Sequence, residues 1–174
     1  MVTKKTFILS LAMLCSSLSL FAQSETKQSF LDKLSIEVNA IGAPEQHNIK
    51  EIGFNGRVGY EFLPRFQVLL SLTGSYGIIE MENGKKALSS NAIGGGIGYK
   101  LFTMDNGEQV DARAFCASSV GSVDWKKTEY TVEVAIKLQS KLSPTFALGF
   151  SHKNSRTQGI GNVNHFYGSI GIRF

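Results

Sequence analysis

Apolar side chains recur at every second position in eight separate segments of this chain, and polar or small residues fill the positions between them. The clearest segment, YTVEVAIKL, begins at Tyr130 and ends at Leu138. Because consecutive side chains of a β-strand point to opposite faces, this period predicts strands with one apolar and one polar face. The segments contain, in chain order, Ile36, Val58, Leu70, Ile97, Ala114, Val134, Leu148 and Ile170. The chain is therefore predicted to be all-β, with eight antiparallel strands.

The two predicted faces differ in bulk, and the bulk indicates which face points inward. One face holds most of the Phe, Tyr, Ile, Leu and Val, whereas the other is rich in Gly, Ser and Ala. A soluble barrel such as a lipocalin would turn the apolar face inward, and a membrane barrel would turn it toward lipid. An eight-stranded barrel has a lumen only just wide enough for side chains, so the small face should point inward. We therefore expect an eight-stranded, antiparallel, up-and-down transmembrane β-barrel.

The same alternation places a nearly balanced set of charges inside the barrel. A buried charge is costly unless it is paired and hydrogen-bonded, so four acids and five bases of inward parity predict a cross-linked lumen. The alternative is that some of these side chains lie near the rims and are hydrated. The predicted interior charge network consists of Glu37, Arg57, Glu61, Lys100, Asp111, Arg113, Glu133, Lys137 and Arg173.

The links between the predicted strands alternate in length. Outer-membrane barrels have short periplasmic turns and longer external loops, and this arrangement predicts external loops near residues 42–51, 78–91, 118–129 and 153–164. Aromatic side chains favour the two membrane boundaries. On the outer face, Trp125 and Tyr130 are therefore predicted to lie toward the loops, and Tyr60 and Tyr99 toward the turns.

The N-terminal segment has the composition of a secretory signal. Lys4 and Lys5 precede a short apolar run, and Ala22 provides a small residue for cleavage. We expect residues 1–22 to be a signal peptide, residues 23–33 a periplasmic segment and residues 34–174 a single barrel domain. Removal of Cys15 would leave Cys116 alone, which excludes an internal disulfide and a multi-cysteine metal site. The basic residues are interleaved with acids, so nucleic-acid binding is not expected. No cofactor and no metal are expected.

The last predicted strand places Phe166, Ile170, Ile172 and Phe174 on one face. With the leader and the alternating strands, this segment resembles the small eight-stranded outer-membrane barrels of the OmpA/OmpX type, including those common in Bacteroidetes. The resemblance extends over residues 34–174. It implies that these four residues form an assembly signal for the barrel-assembly machinery. It also implies a monomer in the bacterial outer membrane, in contact with its lipid and lipopolysaccharide.

These observations predict a non-enzymatic outer-membrane protein whose surface loops meet partners in the envelope or outside the cell. Two alternatives remain open. The stretch from Gly149 to Phe174 resembles the C-terminal part of the lipid A deacylases, with His152 on the lipid-facing side. However, Asn154 stands where those enzymes have a serine, and no acidic residue follows His152. The other alternative is a small porin, which the predicted charge network disfavours.

Overall fold

The computed structural model describes residues 30–46, 48–81, 84–140 and 142–174, and these residues contain eight antiparallel strands that close into a barrel. The prediction of an all-β, eight-stranded antiparallel barrel is confirmed. A short 3-10 helix, Phe30–Lys33, precedes the first strand. The predicted signal peptide at residues 1–22 lies outside the described residues. The strands are β1 Leu34–Gln46, β2 Ile49–Leu63, β3 Phe66–Met81, β4 Gly84–Thr103, β5 Gln109–Ser119, β6 Lys127–Lys137, β7 Pro144–Ser155 and β8 Val163–Arg173.

Each strand pairs with its neighbours in the chain, and β8 returns to β1 to close the sheet. At this seam Arg173 stands opposite Glu37. Ile36 and Phe174 extend the seam by two backbone hydrogen bonds, with N···O distances of 3.1 and 2.8 Å. A closed sheet of this kind leaves no unpaired edge. No helix among the described residues is long and apolar enough to cross a membrane.

Most bulky apolar side chains point outward around this barrel. Phe54, Leu72 and Leu148 are 69%, 56% and 76% exposed, respectively. The intervening positions are buried and largely polar: Asn55 and Ser71, each beside one of these residues in sequence, are 4% and 7% exposed. The barrel is therefore apolar outside and polar inside.

Two of the predicted external loops are wrong. Residues 42–51 and 78–91 lie mostly within strands, because β1–β4 continue their pairing beyond the predicted ends. Alternation also continues there: inward-pointing Ile49, Ile79 and Leu88 pack together at this end of the barrel. The longer links at this end are residues 120–126 and 156–162. The opposite end has links at residues 64–65, 104–108 and 138–143.

Candidate functional site

The lumen contains a buried layer of paired charges, which we call the arginine layer. Its members point inward from β1, β2, β5, β6 and β8, and all are 6% exposed or less. They are Glu37, Arg57, Asp111, Arg113, Glu133 and Arg173. Three guanidinium groups face three carboxylates, so the formal charge of the layer is zero.

Glu133 and Glu37 each accept four hydrogen bonds within the lumen. Arg57 donates to both of its oxygens, with Nη1···Oε1 at 2.6 Å and Nη2···Oε2 at 3.0 Å. Arg113 Nη1 donates to Glu133 Oε1 and to Glu37 Oε1, at 3.1 Å each. The Tyr167 hydroxyl also donates to Glu133 Oε2. The Glu133 carboxylate therefore links its own strand, β6, to β2, β5 and β8.

Arg173 links the seam strand to both sides of the lumen. Its Nε donates to Glu37 Oε2 at 2.8 Å, and its Nη1 donates to Asp111 Oδ2 at 2.9 Å. Asn39 also donates to Glu37, at 2.8 Å. Such pairing and hydrogen bonding offset much of the cost of burying these charges.

The structure places the other three predicted network residues outside this layer. Lys100 Nζ lies 3.1 Å from Glu61 Oε2, and the two side chains are 27% and 39% exposed, so this pair lies at a hydrated rim. Lys137, the last residue of β6, is half-buried and forms no ion pair with any described side chain.

A second group of charges, three buried and one half-buried, lies toward the longer links, and we call it the lysine layer. It consists of Glu51, Lys127, Glu129 and Lys153. Lys127 Nζ donates to Glu51 Oε1 at 2.6 Å, and Lys153 Nζ donates to Glu51 Oε2. Both lysines also lie 3.7 Å from Glu129. This layer too has a formal charge of zero.

Sequence reasoning missed the lysine layer because it assigned these four residues to loops. The alternation of inward and outward positions nevertheless extends to these residues. Glu51 continues the inward positions of β2, and Lys153 continues those of β7. His165 is fully buried beside them, with Nδ1 3.5 Å from Glu51 Oε2.

Trp125 closes the lumen above the lysine layer, and its predicted position on the outer face is wrong. The residue belongs to the link between β5 and β6, which folds inward, and its side chain is fully buried against Ile49, Leu88 and Val163. Its ring centroid lies 4.2 Å from Lys127 Nζ, a cation–π contact. A side chain at Gly77 would clash with the ring, since a Cβ there would lie 2.9 Å from it.

Hydrogen bonds hold this link in place. Asp124 Oδ2 accepts from the Ser89 hydroxyl at 2.6 Å and from the Ser89 backbone N–H at 3.1 Å. The hydrogen bond from the Ser89 hydroxyl, and to a lesser extent that from its N–H, holds the pKa of the exposed Asp124 carboxyl below its ordinary value. Thr157, in the link between β7 and β8, accepts from the Lys126 N–H at 2.8 Å. The two longer links therefore form one bonded cover.

A small cavity of about 50 Å³ lies between the two charged layers. Arg57 and Tyr167 line it on one side, and Glu51 and Lys153 on the other. Small-molecule sites usually measure several hundred Å³, so this space suits a few water molecules rather than a ligand. The described lumen is therefore filled.

Two solved structures are similar to this chain. The N-terminal beta-barrel domain of Pseudomonas aeruginosa OprF is 16% identical, with a TM-score of 0.45 over 80% of this chain and 97% of that chain. The Yersinia pestis outer membrane protein Ail, determined in a phospholipid bilayer nanodisc, is 15% identical, with a TM-score of 0.46 over 81% of this chain and 98% of that chain. No protein-family model matches the sequence, and no curated protein is significantly similar to it.

The outer face carries the remaining predicted site residues. Phe166, Ile170 and Phe174 are exposed on β8 and its end, and Ile172 is half-buried. His152 also has outward parity, next to Tyr130 and Asn164 on the neighbouring strands. Its ring nitrogens face two asparagine oxygens, so the described contacts provide neither a hydroxyl nucleophile nor a carboxylate. Within the described ranges, no group of three or more His, Cys, Asp or Glu is placed to bind a metal ion.

Proposed function

We propose that this protein is a non-enzymatic, integral β-barrel protein of the bacterial outer membrane that presents its Trp125 end for interactions in the envelope or at the cell surface. The observation that supports this proposal is the continuous belt of exposed aliphatic and aromatic side chains around a closed barrel. A soluble monomer rarely exposes apolar patches beyond a few hundred Å². A closed barrel satisfies its backbone hydrogen bonds without water, as a membrane-spanning structure must.

Single-chain barrels with an even number of antiparallel strands and an apolar outer face are typical of bacterial outer membranes. In this proposal the protein is a monomer, and its apolar belt contacts membrane lipid and lipopolysaccharide. Phe166, Ile170, Ile172 and Phe174 then act as the assembly signal for the barrel-assembly machinery. The longer links at residues 120–126 and 156–162 contribute to the presented surface.

Membrane fractionation combined with gel mobility tests the proposal. The full chain should be found in outer-membrane fractions and should migrate differently before and after boiling, because a closed barrel resists detergent until it is heated. Recovery in the periplasmic extract without heat-modifiable mobility would refute the membrane assignment.

A charge on the belt distinguishes a membrane barrel from a soluble one. Leu72→Arg should lower the free energy of unfolding in phospholipid vesicles by about 2–4 kcal/mol, the cost of an arginine at the lipid face. The control is Leu142→Arg: Leu142 is 61% exposed, against 56% for Leu72, but lies in the link between β6 and β7. Urea titration measures both. Equal, small effects at the two sites would indicate that the belt faces water.

The filled lumen predicts that the protein does not conduct ions. The arginine and lysine layers each neutralise their own charge, and the cavity between them measures about 50 Å³. Purified protein in planar bilayers should therefore show no stepwise currents at moderate voltage. Regular steps that depend on protein concentration would favour the porin alternative.

A further inference from the structure

A long apolar groove crosses the outer face of the barrel from β4 to β8. Its volume is about 730 Å³, and we call it the outer groove. Its central row follows the strand pairing through Ile97, Ala114, Val132, Phe150 and Phe166. Four interstrand steps of about 4.8 Å give this row a length of about 19 Å. An extended acyl chain matches a channel of this length and composition.

Three polar side chains border the groove at its loop-side end. His152 and Asn164 lie two residues beyond Phe150 and Phe166 on the same outward face, and Asn154 lies one outward position further along β7. Asn164 Oδ1 is 2.6 Å from His152 Nδ1, and Asn154 Oδ1 is 2.8 Å from His152 Nε2. We call these residues the polar trio.

The contacts within the trio orient the amides. A ring nitrogen of His152 that carries a proton donates it to the facing asparagine oxygen, so the Nδ2 of that asparagine, with two protons to donate, points away from the ring. An outward amide donor suits a group that only accepts hydrogen bonds. The several oxygens of a phosphate meet this requirement, and a charged acceptor strengthens the hydrogen bonds.

We propose that the outer groove and the polar trio together bind one phosphate-bearing membrane lipid, with an acyl chain in the groove and the phosphate on the amides of Asn154 and Asn164. This inference rests on the proposed membrane location. Continuity carries it, because Phe150 and Phe166 line the groove and also adjoin the trio. Their rings are packed edge to face, with centroids 5.2 Å apart, and form the junction between the apolar and polar parts.

A second outer groove provides an internal control. Its volume is about 680 Å³, and it crosses β1, β8, β7 and β6 near Ala40, Phe146 and Ile170. Its loop-side neighbours are the apolar Phe166 and Phe150, so no polar trio borders it there. Ala114 and Ala40 are half-buried, outward-facing alanines, one in each groove.

Native mass spectrometry of the full chain in detergent micelles tests the site, with phosphatidylglycerol as the probe. Wild type should bind a single phosphatidylglycerol saturably and should bind a diacylglycerol with the same chains about tenfold more weakly. Asn154→Leu/Asn164→Leu, which removes the donors at similar volume, should weaken phosphatidylglycerol binding by about tenfold. Ala114→Phe should weaken binding of both lipids, and Ala40→Phe should change neither.

The wild-type comparison alone can overturn the inference. Equal binding of the two lipids would show that the phosphate is not recognised, and several equivalent adducts would show only general coating of the belt. Equal losses in Ala114→Phe and Ala40→Phe would exclude a site in the outer groove. Heat-modifiable mobility, measured on the same samples, separates these outcomes from a failure of the proposed function: a barrel that keeps its mobility shift but binds no lipid refutes only the lipid site.

Discussion

Glu133→Ala is expected to lower the free energy of unfolding by about 3–5 kcal/mol, since removing one partner leaves buried charges uncompensated. Arg57, Arg113 and Tyr167 all donate to this carboxylate. Urea titration in phospholipid vesicles measures the change. Trp125 is the single tryptophan of the chain and is fully buried, so its fluorescence reports unfolding directly.

The matched control is Glu61→Ala. Glu61 also pairs with a basic side chain, at 3.1 Å from Lys100, but this pair is partly hydrated at the rim. Exposed ion pairs contribute up to about 1 kcal/mol, so this substitution should have a small effect. Similar losses for Glu61→Ala and Glu133→Ala would contradict the distinction between a buried arginine layer and a hydrated rim.

Trp125→Ala is expected to lower stability by about 3–5 kcal/mol, the usual cost of removing a large buried aromatic side chain. The substitution removes the packing on Ile49, Leu88 and Val163 and the contact with Lys127. The temperature at which the folded gel band disappears measures the loss without tryptophan fluorescence.

Trp125→Phe provides the comparison for this position. The indole Nε1 has no hydrogen-bond partner among the described atoms, so phenylalanine should retain most of the stability. Neither variant should conduct ions, because the arginine layer still fills the lumen below. Unchanged stability in Trp125→Ala would contradict a structural role for the cover that Trp125 forms.

The strands were predictable because an apolar outer face and a polar lumen impose a strict alternation over most of their length. Six inward charges were assigned from this alternation alone, and the structure gathers them in the arginine layer. Alternation does not report depth along the barrel, which explains why Glu61 and Lys100 were grouped with residues such as Arg57 although they lie at the rim.

The end near the longer links was poorly predicted for a different reason. Polar residues such as Glu51 and Lys153 suggested loops, but here they occupy inward positions whose cost is offset by contacts between distant strands. Such contacts become visible only when the barrel is closed. The position of Trp125 depends likewise on space left by Gly77 and on the fold of its link, and neither is encoded by local periodicity.

The buried charges of the arginine layer are fully paired only when β8 closes the barrel against β1. Until β8 docks, Arg173 cannot reach Glu37, and the Asp111 carboxylate on the opposite wall lacks one of its two guanidinium partners. A half-assembled sheet would therefore leave these charged side chains unpaired. Pairing of β8 with β1 completes these ion pairs in one step. Partly closed intermediates are therefore disfavoured, and docking of the last strand is the step that completes the barrel.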